Sequence, residues 1–154
     1  MNHKMLFTND IWHILSTDKR TKLSFRGVYA SDQLPHHVPT SSLYVCNTDP
    51  STRGGEHWVA MYVDVKRRGE LFDSGGNLSP INSEFVDFLT ANCNTWTYNV
   101  RAVQHPLSDA CGYHVIFFSV YRCLGYSLDD ILRMYTSNNL NYNDSIVKEF
   151  VRAL

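Results

Sequence analysis

The stretch Val103-Gln104-His105-Pro106-Leu107-Ser108-Asp109-Ala110-Cys111-Gly112 decides how this chain is read. It sets an amide side chain seven positions before a cysteine and runs into the apolar segment Val115-Ile116-Phe117-Phe118. A polar, proline-containing loop followed by a nearly continuous apolar run predicts a loop feeding a buried helix, here from about Cys111 to Leu124. A helix apolar all round belongs at the centre of a domain. A cysteine at its start sits where the helix dipole favours thiolate.

Outward from that segment, the upstream sequence reads as strands. His57-Trp58-Val59-Ala60-Met61-Tyr62-Val63-Asp64 is the clearest, rich in β-branched and aromatic residues. Glu70-Leu71-Phe72-Asp73 reads as its hairpin partner across a turn around Arg68-Gly69. Leu43-Tyr44-Val45-Cys46 is a further strand, and Trp96 to Ala102 alternates like another. Residues 18–42 are rich in turn formers, with Pro35 and Pro39 flanking His36-His37.

Asp10 to Leu15 predicts a short helix capped by Thr8 or Asn9. Ser79-Pro80 predicts a helix start, with Ile81, Phe85, Phe88 and Leu89 on its apolar face. Ser127 predicts another cap, with Asp129 and Asp130 in the first turn. Ile146, Val147, Phe150 and Val151 mark a last amphipathic helix. The order of helix, strands, helix, strand and helices predicts an α+β domain.

Composition narrows the field. The 154 residues suit one domain, and 44% hydrophobic with 19% charged residues is ordinary for a globular protein. A net charge of −1 argues against bulk attraction to nucleic acid or a membrane. Two basic clusters, Lys19-Arg20-Thr21-Lys22 and Lys66-Arg67-Arg68, read as solvated loops. The N-terminus shows no signal-peptide pattern, and no window is apolar enough for a membrane span. Cys46, Cys93, Cys111 and Cys123 show no CxxC spacing, so reduced thiols are expected and no zinc motif is read.

Nucleophilic cysteine chemistry needs a thiol, a base, a group that orients the base, and donors for an oxyanion. Cys111 is the candidate thiol; a buried, inert cysteine at a helix start is the alternative. His57 is the candidate base, where a lone histidine at a strand edge is more often structural. Asp73 ends the adjacent strand, where a carboxylate can hold an imidazole tautomer; by itself it is a turn residue before Ser74-Gly75-Gly76. Gln104 is the candidate oxyanion donor, and by itself a polar loop residue. Gly112 permits close approach of a substrate. His36-His37 read as an exposed loop pair, His105 follows no strand, and His114 reads as packed or solvated. Phe117, Phe118 and Tyr121 read as core.

Taken in order, these motifs resemble the adenovirus maturation protease family (adenain). That family shares a clan with the Ulp/SENP proteases of ubiquitin-like proteins. The matching pieces are Phe25-Arg26-Gly27-Val28, Gly54-Gly55-Glu56-His57-Trp58, Leu71-Phe72-Asp73 and the Val103-to-Gly112 stretch. The order His, acid, Gln, Cys is the strongest of these signals, and it reverses papain, whose cysteine comes first. Gly27-Val28-Tyr29-Ala30-Ser31-Asp32-Gln33-Leu34-Pro35 is similar to the short proteases of Maverick/polinton elements and adintoviruses.

The resemblance implies one cysteine protease domain over residues 1–154, a central mixed sheet flanked by helices, and a nucleophile at the start of a buried helix. It implies His57 as base, Asp73 as its orienter, Cys111 as nucleophile, and Gln104 with the Cys111 N–H as oxyanion donors. Trp58 is expected to pack over the histidine and, with Gly112, to shape a narrow cleft suited to Gly-containing sites. The implied function is a cysteine endopeptidase of virion maturation, cleaving capsid or core precursors inside the host cell or virion, not secreted. No metal or organic cofactor is implied. An activating peptide through Cys93, 18 positions before Cys111, and DNA at the cluster near Lys19 follow from the family. Two features depart from the adenovirus branch: Asp73 stands where it mostly has Glu, and the C-terminal helical region is shorter. The alternatives are a Ulp/SENP-like isopeptidase using the same site and a binding module on a degenerate protease fold.

Overall fold

The computed structural model describes residues 4–52, 57–76 and 81–154. Gly54-Gly55-Glu56 and the expected cap Ser79-Pro80 lie outside the described residues.

Five strands form one mixed sheet in chain order: β1 (Phe25–Tyr29), β2 (Ser42–Asn47), β3 (Trp58–Val63), β4 (Arg68–Phe72) and β5 (Thr95–Tyr98). The inner pairs β2–β3 and β3–β4 are antiparallel; the outer pairs β1–β2 and β4–β5 are parallel. Helices cover both faces, which is why β2 and β3 read as apolar runs rather than clean alternations. Alternation is still there, resolved by face. Leu43, Val45, Ala60, Tyr62 and Phe72 join the core built around α3 (Cys111–Cys123). Tyr44, Cys46, Val59, Met61, Val63 and Leu71 pack on Phe85, Phe88 and Leu89 of α2 (Ser83–Asn92).

The central helix is as expected. Every residue from Cys111 to Val120 is buried. Phe118 stacks on Phe72 with ring centroids 4.9 Å apart. Burying each such side chain contributes about 1.5–3 kcal/mol, so this helix anchors the core. α1 (Thr8–Thr17), α4 (Leu128–Leu132) and α5 (Leu140–Arg152) surround it. Ser127 caps α4 as read, its hydroxyl accepting the Asp130 N–H at 3.1 Å. No helix among the described residues is long and apolar enough to cross a membrane.

Five details differ from the sequence reading. β1 lies within the segment read as turns: its register shifts between Phe25 and Gly27, past the exposed Arg26, and buried Gly27 sits at φ 147°, so the sequence shows no clean apolar alternation. The β3–β4 turn falls before Arg68, not at Arg68-Gly69. Asp64 makes it, its Oδ1 accepting the N–H groups of Lys66 and Arg68, each at 2.8 Å. Gly69 instead lies inside β4, where a Cβ would stand 2.7 Å from the Cys93 sulfur. The cap of α2 is Asn82, which accepts the Glu84 N–H at 2.9 Å, and Ile81 precedes the helix. α1 begins at Thr8 with Phe7 at the cap position, and Asp10 in the first turn accepts the Phe7 N–H at 2.9 Å; neither Thr8 nor Asn9 is the cap.

The fifth difference bears on the site. β5 ends at Tyr98 rather than Ala102. Asn99 takes over the pairing with its side chain: Oδ1 accepts the Asp73 N–H at 2.9 Å and Nδ2 donates to the Asp73 carbonyl at 2.6 Å. A side-chain amide thereby replaces a strand as partner and frees the following backbone to leave the sheet.

Candidate active site

His57 precedes β3, and its carbonyl accepts the Thr48 N–H at 3.0 Å, which extends the ladder by one step. In β3–β4, Ala60 pairs with Phe72. Continuing that register sets His57 opposite Gly75 and diagonal to Asp73, on one face, within reach of long side chains. The contact is made: His57 Nε2 lies 2.5 Å from Asp73 Oδ1. The same oxygen accepts the Gly75 N–H at 2.8 Å. The Asn99 side chain holds the Asp73 backbone from the other side. Thus the hairpin and one asparagine fix both partners.

The thiol of Cys111 acts on the same imidazole. Burial disfavours the charged ring, but the Asp73 carboxylate and the Cys111 side chain outweigh it and raise the His57 pKa to about 10. With Nε2 on Asp73, Nδ1 is the nitrogen left to face sulfur. Cys111 is the first residue of α3, so its backbone N–H has no partner within the helix. Only 7% of Cys111 is exposed, which leaves a narrow approach to it.

Gln104 is buried and fully engaged. Its Oε1 accepts the Ser74 hydroxyl at 2.5 Å. Its Nε2 donates towards the Ser108 carbonyl at 3.0 Å and the Ser108 hydroxyl at 3.1 Å. The Ser74 carbonyl accepts the N–H groups of Val103 and Gln104, at 2.9 and 3.0 Å. Gly76, at φ +64°, lets this turn lie against the next loop: a Cβ there would stand 2.5 Å from the Ala102 nitrogen.

Two cavities open at this end of the sheet. One, of about 210 Å³, is lined by His57, Gly75, Ala102, Gln104, His105 and Ser108. The other, of about 360 Å³, is lined by Trp58 with Thr8, Val28, Tyr29, Asn47 and Asp49. Trp58 is tied to the N-terminal segment, its indole N–H donating to the Leu6 carbonyl at 3.3 Å. It therefore borders the larger cavity and does not line the one that holds His57. Gly112 is not a cleft residue. It is buried, and a Cβ on it would stand 2.9 Å from the Leu6 side chain. The space it leaves is filled by the chain itself, not left for a substrate.

His36 and His37 are exposed. Among the described residues, no group of three or more His, Cys, Asp or Glu is placed to hold a metal ion. His114 is fully buried, with Nε2 at 2.8 Å from Asp144 Oδ1. Cys93 is half-buried against Gly69, and burial pushes its thiol up. Arg67 is partly drawn into the fold, donating to the Val38 carbonyl at 2.8 Å, while Arg68 stays exposed and pairs with Asp64 at 2.8 Å. Lys66 and Arg68 are exposed, as a solvated loop would have them, and two of the three charges are engaged within the fold. Ser74, Asn99, Ser108, Asn143 and Asp144 were not singled out by sequence. For the last two a signal existed, since they share the buried face of α5 with Val147 and Val151 at helical spacing.

No family model matches the chain, and no curated protein matches it. Among solved structures, the central domain of the uncharacterized Lpg1148 protein from Legionella pneumophila is similar over 98% of this chain and 99% of its own, with 15% identity and a TM-score of 0.51. That likeness is one of fold. Two crystal structures of the ASFV pS273R protease, one of them the Se-Met form, each align with 69% of this chain. Their identities are 22% and 23%, with TM-scores of 0.43 and 0.40. The chain spans less than half of that protease's length, 42% and 43% in the two alignments.

Proposed function

We propose that this chain is a cysteine endopeptidase with His57 as base, Asp73 as its orienter, Cys111 as nucleophile and Gln104 as oxyanion donor. The observation that carries the reading is the His57 ring, 2.5 Å from the Asp73 carboxylate and with its pKa raised further by the side chain of a helix-start cysteine, Cys111. A ring that keeps its proton at neutral pH is what a thiolate nucleophile needs beside it. Sulfur attacks the substrate carbonyl carbon, and the carbonyl electrons move to oxygen. The Cys111 N–H and the Gln104 amide, turned from the Ser108 hydroxyl, receive that oxyanion. The His57 proton goes to the leaving amine, the C–N bond breaks and a thioester remains. Water, deprotonated by His57, hydrolyses it.

The finer reading is a viral maturation protease cleaving capsid or core precursors at Gly-containing sites. It rests on the adenain-like order of motifs. A Ulp/SENP-like isopeptidase is favoured by one feature, the aspartate at position 73. Short Gly-containing peptides and ubiquitin-like aldehyde probes separate the two: cleavage of the first supports maturation, capture of the second supports the isopeptidase.

Cys111→Ala is expected to abolish cleavage while circular dichroism and melting stay those of the parent. Turnover by that variant would overturn the mechanism. A parent chain that cleaves nothing and alkylates at Cys111 no faster than a free thiol would support a binding module instead.

A further inference from the structure

The loop that carries Gln104 has no ladder of its own. Val103 and Gln104 are nonetheless buried, and buried backbone groups need partners. Ser74 supplies one side. The other comes from one turn of α5, about forty positions downstream. Asn143 Nδ2 donates to the Val103 carbonyl at 3.0 Å, and Asp144 Oδ2 accepts the His105 N–H at 3.3 Å. The two side chains hold the backbone on both sides of Gln104. Both are buried, at 0% and 5% exposure.

Each is fixed in turn. Asn143 accepts the Thr136 N–H at 2.9 Å and donates to the Thr136 carbonyl at 2.8 Å, which locks it to the α4–α5 connection. The second oxygen of Asp144 lies 2.8 Å from Nε2 of His114, on the helix that starts with Cys111. His114 Nδ1 lies 3.1 Å from the Tyr135 hydroxyl. Burial and the His57 charge hold His114 below its ordinary pKa, against the pull of Asp144. The neutral ring then donates from Nε2 to Asp144 and accepts the Tyr135 O–H at Nδ1. One carboxylate thereby bridges the amide-bearing loop and the thiol-bearing helix.

We propose that the Asn143–Asp144 pair positions the oxyanion donor, setting Gln104 against the α3 N-terminus by gripping Val103, His105 and His114. This rests on the protease reading, and the two can be tested apart. Alkylation of Cys111 by iodoacetamide needs the thiol and imidazole but no oxyanion donor. Binding of a peptide aldehyde ending in glycine needs both: sulfur adds to the aldehyde carbon, and the former carbonyl oxygen takes the donors' hydrogen bonds.

The experiment compares parent, Gln104→Ala, Asp144→Ala, Asp144→Asn and the double variant Gln104→Ala/Asp144→Ala. Asp144→Ala is expected to lower kcat and aldehyde affinity by about 10- to 10²-fold, the cost of a misplaced catalytic group. KM and the alkylation rate should stay near the parent's. The double variant should be no weaker than Gln104→Ala, because both remove one function. Asp144→Asn keeps the volume and one acceptor; it should fold and fall between, and it carries the test if Asp144→Ala does not fold. Additive losses, equal losses in alkylation and aldehyde binding, or parent-like aldehyde affinity in folded Asp144→Asn would overturn the positioning role alone. A parent that binds no aldehyde and shows no enhanced alkylation would sink the protease reading and this inference with it.

Discussion

The two walls of the candidate site are built differently. His57 and Asp73 stand at the ends of two adjacent antiparallel strands, and their meeting follows from the register of a hairpin with a short turn. Gln104 and Cys111 stand on a loop and a helix start, and the loop is held by side chains: Ser74 from one direction, Asn143 and Asp144 from the other. Hairpin geometry is local and repeats, so a pattern of alternating residues reveals it. A loop fixed by single polar side chains depends on contacts about 30 to 40 positions away, which no local pattern encodes.

The largest expected effect breaks the hairpin wall. His57→Ala should lower kcat by about 10²- to 10⁴-fold, the usual worth of a positioned acid–base group. It should leave the α3 core folded, with melting lowered only by the loss of the His57–Asp73 pair. Steady-state cleavage with thermal denaturation checks both, and retained activity would remove the hairpin from the chemistry.

A smaller change sharpens the same wall. The His57 pKa is raised, so the proton on the ring stabilises the folded state fully below its ordinary value near 6.5. That contribution is lost as pH climbs through about 10. The ring must also hand a proton to the leaving amine, so kcat/KM should fall along an alkaline limb near pH 10. Asp73→Asn removes the charge that most strongly opposes burial. The limb should then move down by about 1–3 pH units. A pH–rate profile with an unmoved limb would show that Asp73 does not set the ring's charge.

The smallest expected effect belongs to the loop wall. Ser74→Ala leaves Gln104 Oε1 buried without its donor. The cost of such an orphaned acceptor is about 1–3 kcal/mol. A drop in kcat of about tenfold, with little change in KM, would show that Ser74 aims the amide. An equal fall in melting temperature with unchanged kcat would make the serine merely structural.

Much of the scaffold was legible. The apolar run after Cys111 announced a central helix, and the β-branched and aromatic run after His57 announced a strand. β1 was not, because Gly27 breaks its alternation, and the β3–β4 turn was misplaced because Asp64, not the glycine, organises it. Gly112 shows the same limit at the site. Its lack of a side chain was legible, but what fills the space was not, since Leu6 arrives from the far end of the chain.

By itself the sequence determined the class of fold and the residue types that cysteine chemistry requires, because periodicity and turn chemistry act over a few residues. Tertiary structure alone decided which polar side chains hold those residues in place. Ser74 and Asn99 carry no signal in sequence, Asn143 and Asp144 show only a place on the buried face of α5, and the partners of all four become neighbours only after the sheet and α3 have assembled. Each satisfies a buried backbone or side-chain polar group, and in a closely packed interior that requirement is met at one geometry.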